Sequence, residues 1–156
     1  LNAMKEFDYD LDYKRLDFSV QENRKLYRIG RGEQGVLLVR PYTNDICAHW
    51  RFKTPEIAKK SAAKIYEMYL IYRDEEDFIG MDMCRKFLEM GFTRSRRYAN
   101  HRDGKKYDKE GNVIPQEKDH ATCHFATSAT IFKKTRDVVA KNETYVKMRK
   151  QWRLEE

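Results

Sequence analysis

Apolar positions recur along this chain at two spacings. Ile57, Ser61, Ile65, Met68, Tyr69 and Tyr72 follow a helical period, while Lys59, Lys60, Lys64 and Glu67 fall mostly on the other side. Thr54-Pro55 heads this pattern. A Thr suits the N-cap, where its hydroxyl accepts an orphan amide, and a Pro suits the first helical position, where its missing N–H costs nothing. The spacing therefore predicts a helix from about 54 to 73. The acidic run Asp74-Glu75-Glu76-Asp77 closes it and opens the next, because carboxylates complement the positive end of a helix dipole. That next helix is expected over about 77–90, ended by Gly91 as a left-handed cap. Thr93 then caps a short basic helix reaching about Asn100. From Asp119 the series Ala121, Phe125, Ala129, Phe132 is again helical. A last helix carries Tyr145, Met148 and Trp152, and Asn142 breaks it from the one before.

Period two marks the other segments. Val36-Leu37-Leu38-Val39 is a continuous apolar run stopped by Pro41 and followed by the turn-like Thr43-Asn44-Asp45. Ile46, Ala48, Trp50 and Phe52 then alternate with Cys47, His49, Arg51 and Lys53, which places the two sets on opposite faces of a strand. Residues 36–52 are thus expected to form a hairpin. The near alternation Phe7, Tyr9, Leu11, Tyr13 suggests an extended arm lying on the body. Asp8, Asp10 and Asp12 in that arm lack the Gly and the later bidentate Glu of a calcium loop. Residues 101–117, with Asp103-Gly104, Glu110-Gly111 and Pro115 among charges, read as a loop with room for a small hairpin. The expected fold is α+β: one mostly helical domain over residues 4–156 with a small antiparallel β-hairpin. Leu1-Asn2-Ala3 reads as an expression-tag remnant before a natural start at Met4.

Composition narrows the class. Aromatics make up 13% of the 156 residues, with 7 Gly and 3 Pro. That excludes a disordered chain, which is poor in aromatics, and a collagen-like one, which needs abundant Gly and Pro. No apolar run approaches the length of a membrane span. Cys47, Cys84 and Cys123 are an odd, widely spaced set and read as free thiols, and no charged-then-apolar leader follows Met4. Both point to a cytoplasmic protein, in which the acceptor-like Asn142-Glu143-Thr144 is a chance match. The 32 Lys and Arg outweigh 25 Asp and Glu, a net charge of +7. The excess is patterned: residues 85–106 hold eight basic residues against two acids, and so do residues 133–153.

Five constellations carry candidate chemistry. Gly30-Arg31-Gly32-Glu33-Gln34-Gly35 is formally G-x-G-x-x-G, but a strand, not a helix, is expected after it, which removes the dinucleotide reading. Strands flank the glycine loop of a protein kinase, yet the later kinase motifs are absent and the chain is too short. Two readings stay open: a tight turn, or an amide nest for a phosphate built on Gly30, Gly32 and Gly35 and helped by Arg28 and Arg31. In the central basic tract, Arg94, Arg96, Arg97, Arg102, Lys105 and Lys106 with Tyr98 and His101 suit phosphates and stacked bases, against a plain solvated basic face. A helix-turn-helix fails there, because Arg97 and Asn100 stand where buried apolar residues are required.

Toward the C-terminus, Lys141, Lys147 and Lys150 with Tyr145 and Trp152 form either a surface helix with Trp152 packed inward, or a second contact for nucleic acid or a membrane surface. His120 and His124 stand four apart beside Cys123, but without a zinc-site spacing, so no metal and no cofactor is expected. His49 and Arg51 on one strand face with Cys47 are candidate catalytic residues for a phosphate ester, with Asp82 or Glu33 as partner.

Residues 26–39 (LYRIGRGEQGVLLV), 49–58 (HWRFKTPEIA) and 80–101 (GMDMCRKFLEMGFTRSRRYANH) together resemble a family of short proteins of unknown function found in tailed phages, bacteria and some algae. The resemblance covers roughly residues 7 to 115, leaves out the C-terminal helices, and implies no activity. The leading expectation is binding of a polyanion such as nucleic acid through the basic helix and loop. A phosphate-ester or nucleotide enzyme at His49 and Arg51, and a protein-interaction or oligomerisation module, are the alternatives.

Overall fold

The computed structural model describes residues 5–156; the expected tag remnant at 1–3, and residue 4, lie outside them. In chain order it shows two short helices, α1 (Gln21–Arg24) and α2 (Tyr42–Cys47), and four longer ones, α3 (Pro55–Asp74), α4 (Phe78–Asn100), α5 (His124–Lys141) and α6 (Glu143–Glu155). Among the described residues there is no sheet or hairpin, only an isolated bridge between Tyr107 and Val113. The fold is all-α, and the α+β expectation is wrong.

The hairpin expected at 36–52 fails for a local reason. Val36 and Leu38 donate their amides three residues back, to Glu33 and Gly35, so the apolar run is a succession of turns. Thr43 closes it: its hydroxyl accepts from the Val39 amide at 3.0 Å and donates to the Val36 carbonyl at 2.8 Å. Val36 and Val39 are buried while Leu37 is 48% exposed, a spacing of three where a strand shows two. The expected turn residues Thr43-Asn44-Asp45 lie inside α2, which Pro41 precedes. A lone hairpin with no third strand is marginal in water, and here the local bonds win.

The expected Thr54 cap forms, while Thr93, expected to cap a separate basic helix, lies inside the unbroken α4 with its hydroxyl turned to Glu33. Thr54 Oγ1 accepts from the Ile57 amide at 3.2 Å and starts α3 with Pro55. Asp77 Oδ1 accepts from the Gly80 amide and starts α4 after a three-residue connection. Asn142 Oδ1 accepts from the Tyr145 amide and separates α5 from α6.

At the centre lies α4, where every residue from Phe78 to Leu88 is buried, Asp82, Arg85 and Lys86 included. It is one helix where a break at Gly91 was expected. A Cβ at Gly91 would lie 2.4 Å from the Phe132 ring, so the missing side chain serves the approach of α5 and not a cap. Gly80 does the same for α3, with Tyr72 at 2.3 Å from the equivalent Cβ. The pairs Glu89–Arg136, Gly91–Phe132 and Tyr98–Phe125 run α5 antiparallel to α4. Across the other end of α4 lies α6: Trp152 stacks on Phe78 at 5.3 Å and donates to the Tyr27 carbonyl. The N-terminal arm packs inward through Phe7 and Tyr13, stacked at 5.5 Å. No helix among the described residues is long and apolar enough to cross a membrane.

Candidate polyanion interface

The basic tract at 85–106 divides into two parts. Arg85 and Lys86 turn into the core. The other six basic residues lie on the last turns of α4 and the loop after it. Arg94, Arg97, Lys105 and Lys106 are exposed and have no ion-pair partner among the described residues. Arg96 is turned along the surface, its Nη2 donating to Asn100 Oδ1 at 2.9 Å and to the His120 carbonyl at 3.0 Å. Arg102 stands between two carboxylates, 3.9 Å from Glu117 and 3.8 Å from Asp119. His101, expected on the basic face, is 6% exposed.

Tyr98 links these cations to a groove. Its ring lies against Gly104, which holds the stretch leading to Lys105 and Lys106 beside the helix. On its other side it meets Phe52 at 5.6 Å and Phe125 at 5.5 Å, and Trp50 joins Phe52 at 5.2 Å. These half-buried rings line a groove of about 810 Å³, with Arg51 and Lys53 on its edge. Trp50 is pinned by its indole N–H, which donates to the Phe87 carbonyl at 3.1 Å. The alternation at 50–53 is therefore real but belongs to an extended segment, with no partner strand.

His49 and Arg51 do stand together, although not on a strand. Ser61, buried on α3, donates to the His49 carbonyl at 2.7 Å and accepts from the Arg51 amide at 3.0 Å, which ties the segment down. With Lys60 and Lys64 the two side chains line a small cavity of about 270 Å³. The carboxylates expected to serve His49 are elsewhere. Glu33 accepts from the Thr93 hydroxyl at 2.7 Å, and Asp82 is in the core.

The glycine loop turns its carbonyls inward onto cations. Arg85 Nη1 donates to the Gly32 carbonyl at 2.9 Å, Lys86 Nζ to those of Gln34 at 2.6 Å and Arg28 at 3.2 Å, and Arg153 Nη2 to that of Gly30 at 3.0 Å. Gly35, at φ +80°, leaves no room for a side chain because the Phe7 ring would lie 2.1 Å from its Cβ. Arg31 is exposed and pairs with Glu6 at 3.0 Å. The loop does not line the aromatic groove.

Sequence reading missed the group behind this loop. Asp82 accepts from Tyr27 Oη, from Tyr145 Oη at 2.6 Å and from Arg85 Nε at 2.7 Å. Burial by itself would raise the Asp82 carboxyl, but Arg85, Lys86 and these hydrogen bonds hold it well below the usual carboxylate range. Burial pushes Lys86 down to about 7, against the pull of Asp82. Its ammonium also lies 4.8 Å over the Tyr27 ring. Burial and the Asp82 charge push Tyr27 and Tyr145 up. The one signal in the sequence was an Asp-x-x-Arg-Lys inside an otherwise apolar helical stretch.

These features define an all-α domain with a basic, aromatic surface and a charged core. The chain belongs to a family described as a domain of unknown function, DUF4385, which matches residues 8–155. The match runs through α5 and α6, so the C-terminal helices are part of the family domain, beyond the extent of the resemblance seen in the sequence. No curated protein and no solved structure matches the chain.

Proposed function

We propose that this domain binds a polyanion, nucleic acid above all, through the last turns of α4 and the following loop. One observation carries the reading: Arg94, Arg97, Lys105 and Lys106 are exposed, without ion-pair partners among the described residues, along the turns and loop that hold Tyr98. Guanidinium forks match phosphate oxygens, and unpaired surface cations keep their charge available. Arg96 and Arg102 would reinforce them after exchanging their present partners. The glycine loop and Arg31 would add a phosphate contact only through groups that face outward.

The test is titration of fluorescent single- and double-stranded oligonucleotides at several salt concentrations. Each phosphate contact contributes a slope of about −0.7 on single strands and −0.9 on duplex in log K against log salt. Charge reversal at both Arg94→Glu and Arg97→Glu is expected to weaken binding by about tenfold or more and to flatten that slope by about two contacts. Absence of binding at low salt ends this reading.

A second reading, action on a nucleotide or phosphate ester, draws on the shared cavity of His49, Arg51, Lys60 and Lys64. A thermal-shift screen of nucleotides separates the two. This reading requires stabilisation by one particular small ligand, lost in the Arg51→Gln variant.

A further inference from the structure

We infer that the aromatic groove seats an unstacked nucleobase of a single strand, with the strand's phosphates on the cations at its Arg51 end. This rests on the polyanion reading above and says which nucleic acid the surface takes.

The floor of the groove is the first argument. Trp50, Phe52, Tyr98 and Phe125 meet at interplanar angles of 36–57°, so no ring lies flat on another. All four are half-buried, unlike the core rings of Phe18, Tyr27 and Phe87. Every base has a π-face, and a base stacked on an aromatic side chain needs no particular hydrogen-bond pattern. The volume of about 810 Å³ falls in the range of small-ligand sites, roughly 300–1,000 Å³.

Charge is the second argument, and it gives the groove a direction. Arg51 and Lys53 edge it, and Arg51 also lines the neighbouring cavity with His49, Lys60 and Lys64; no carboxylate lines that cavity, and of these cations only Lys64 has an ion-pair partner among the described residues, Glu67 at 3.5 Å. Past Tyr98 and Phe125 the surface continues to Arg102, but Glu117 and Asp119 are there too. The Arg102 end carries both signs, so the phosphate next to the seated base is drawn to the Arg51 end, while the rest of the strand can still reach the cations of α4 and its following loop. An apolar protein segment would use the rings but would leave the cations at the Arg51 end unmatched. Duplex fails on geometry, since paired and stacked bases offer no free face.

The experiment compares three probes on the wild-type protein at about 50 mM salt. These are an oligothymidylate, an abasic strand of the same length and charge, and a duplex. The thymidylate is expected to bind about tenfold or more tightly than the abasic strand, and to quench Trp50 emission where the abasic strand does not. Arg51→Gln with Lys53→Gln is expected to reduce the single-strand salt slope by about 1.4. Tyr98→Leu keeps an apolar side chain at this position, removes a π-face, and is expected to narrow the gap between thymidylate and abasic strand. If that variant does not fold, the wild-type comparison still decides.

Abasic and thymidylate strands binding equally, or duplex binding more tightly than either, would overturn the base site and turn the groove toward an apolar protein partner. No binding by any probe would instead remove the polyanion reading itself.

Discussion

Removing the charge of Asp82 is the sharpest test of how this fold is held together. In Asp82→Asn the shape is kept, but Arg85, whose side chain is 9% exposed, loses its only counter-charge at ion-pair distance among the described residues. The hydroxyls of Tyr27 and Tyr145 also lose a charged acceptor. Breaking a buried pair by removing one partner costs about 3–5 kcal/mol. Against a typical total of about 5–15 kcal/mol, that is a large share. For a domain of this size each kcal/mol moves Tm by about 2–4 °C, so a fall of about 6–20 °C is expected. Urea unfolding followed by far-UV circular dichroism measures the free energy directly.

A companion variant checks the cause. Asp82→Leu with Arg85→Met removes both charges, and an apolar replacement of a buried pair is often neutral. Arg85 Nη2 has no hydrogen-bond partner among the described residues, which makes the pair less than fully satisfied. Lys86, already pushed down to about 7, can lose its proton and still donate to the Arg28 and Gln34 carbonyls. The double variant should therefore recover most of the loss. A single Asp82→Asn variant that loses less than about 1 kcal/mol would refute the assignment of this carboxylate as the anchor of α4.

Other outcomes follow from the same geometry. The folded Asp82 carboxyl lies below its unfolded value near 4, so its stabilisation is complete above that pH and lost as the pH falls through the folded value. Stability measured from pH 7 to pH 2 should decline more steeply in the wild type than in Asp82→Asn, and parallel curves would contradict this. Gly91→Ala places a Cβ 2.4 Å from the Phe132 ring, which should cost about 1–3 kcal/mol despite the better helix propensity of Ala. Phe132→Leu in that background should return part of the loss in thermal unfolding. Asn142→Ala removes both the α6 cap and the acceptor for Tyr69 Oη at 2.9 Å, an expected loss of about 1–2 kcal/mol by urea midpoint.

The mixture of charges in the central tract bears on function as well as stability. Eight basic residues in one stretch suggest a single surface, but Arg85 and Lys86 serve the carbonyls of the glycine loop and the Asp82 carboxylate. What reaches solvent is a smaller set, arranged along the end of one helix and beside an aromatic groove. The loop expected as an amide nest is held from behind by cations. Any anion it takes must approach the outward side.

Local chemistry was legible in the chain by itself. Thr54-Pro55, Asp77 and Asn142 marked the starts of α3, α4 and α6, because a cap is decided by one side chain and the amides two or three residues on. The helical period over 57–72 was equally plain. Residues 36–52 were not, since an apolar run and a short alternation fit a strand as well as a set of turns, and only the Thr43 hydroxyl and the burial of Val36 and Val39 choose between them.

Gly91 shows the same limit. A glycine after a helical stretch is a good cap by local rules, but the space it leaves is filled by Phe132, some forty residues later. The charged core was hidden for the same reason. Asp82 read as a partner for His49, and Arg85 and Lys86 as part of a basic tract, until Tyr27, Tyr145 and the glycine-loop carbonyls, drawn from both ends of the chain, arrive to satisfy them. Sequence determined where α3, α4 and α6 start and which residues can carry charge. Tertiary packing decided which charges face water, because the cost of burying each depends on partners far away in the chain.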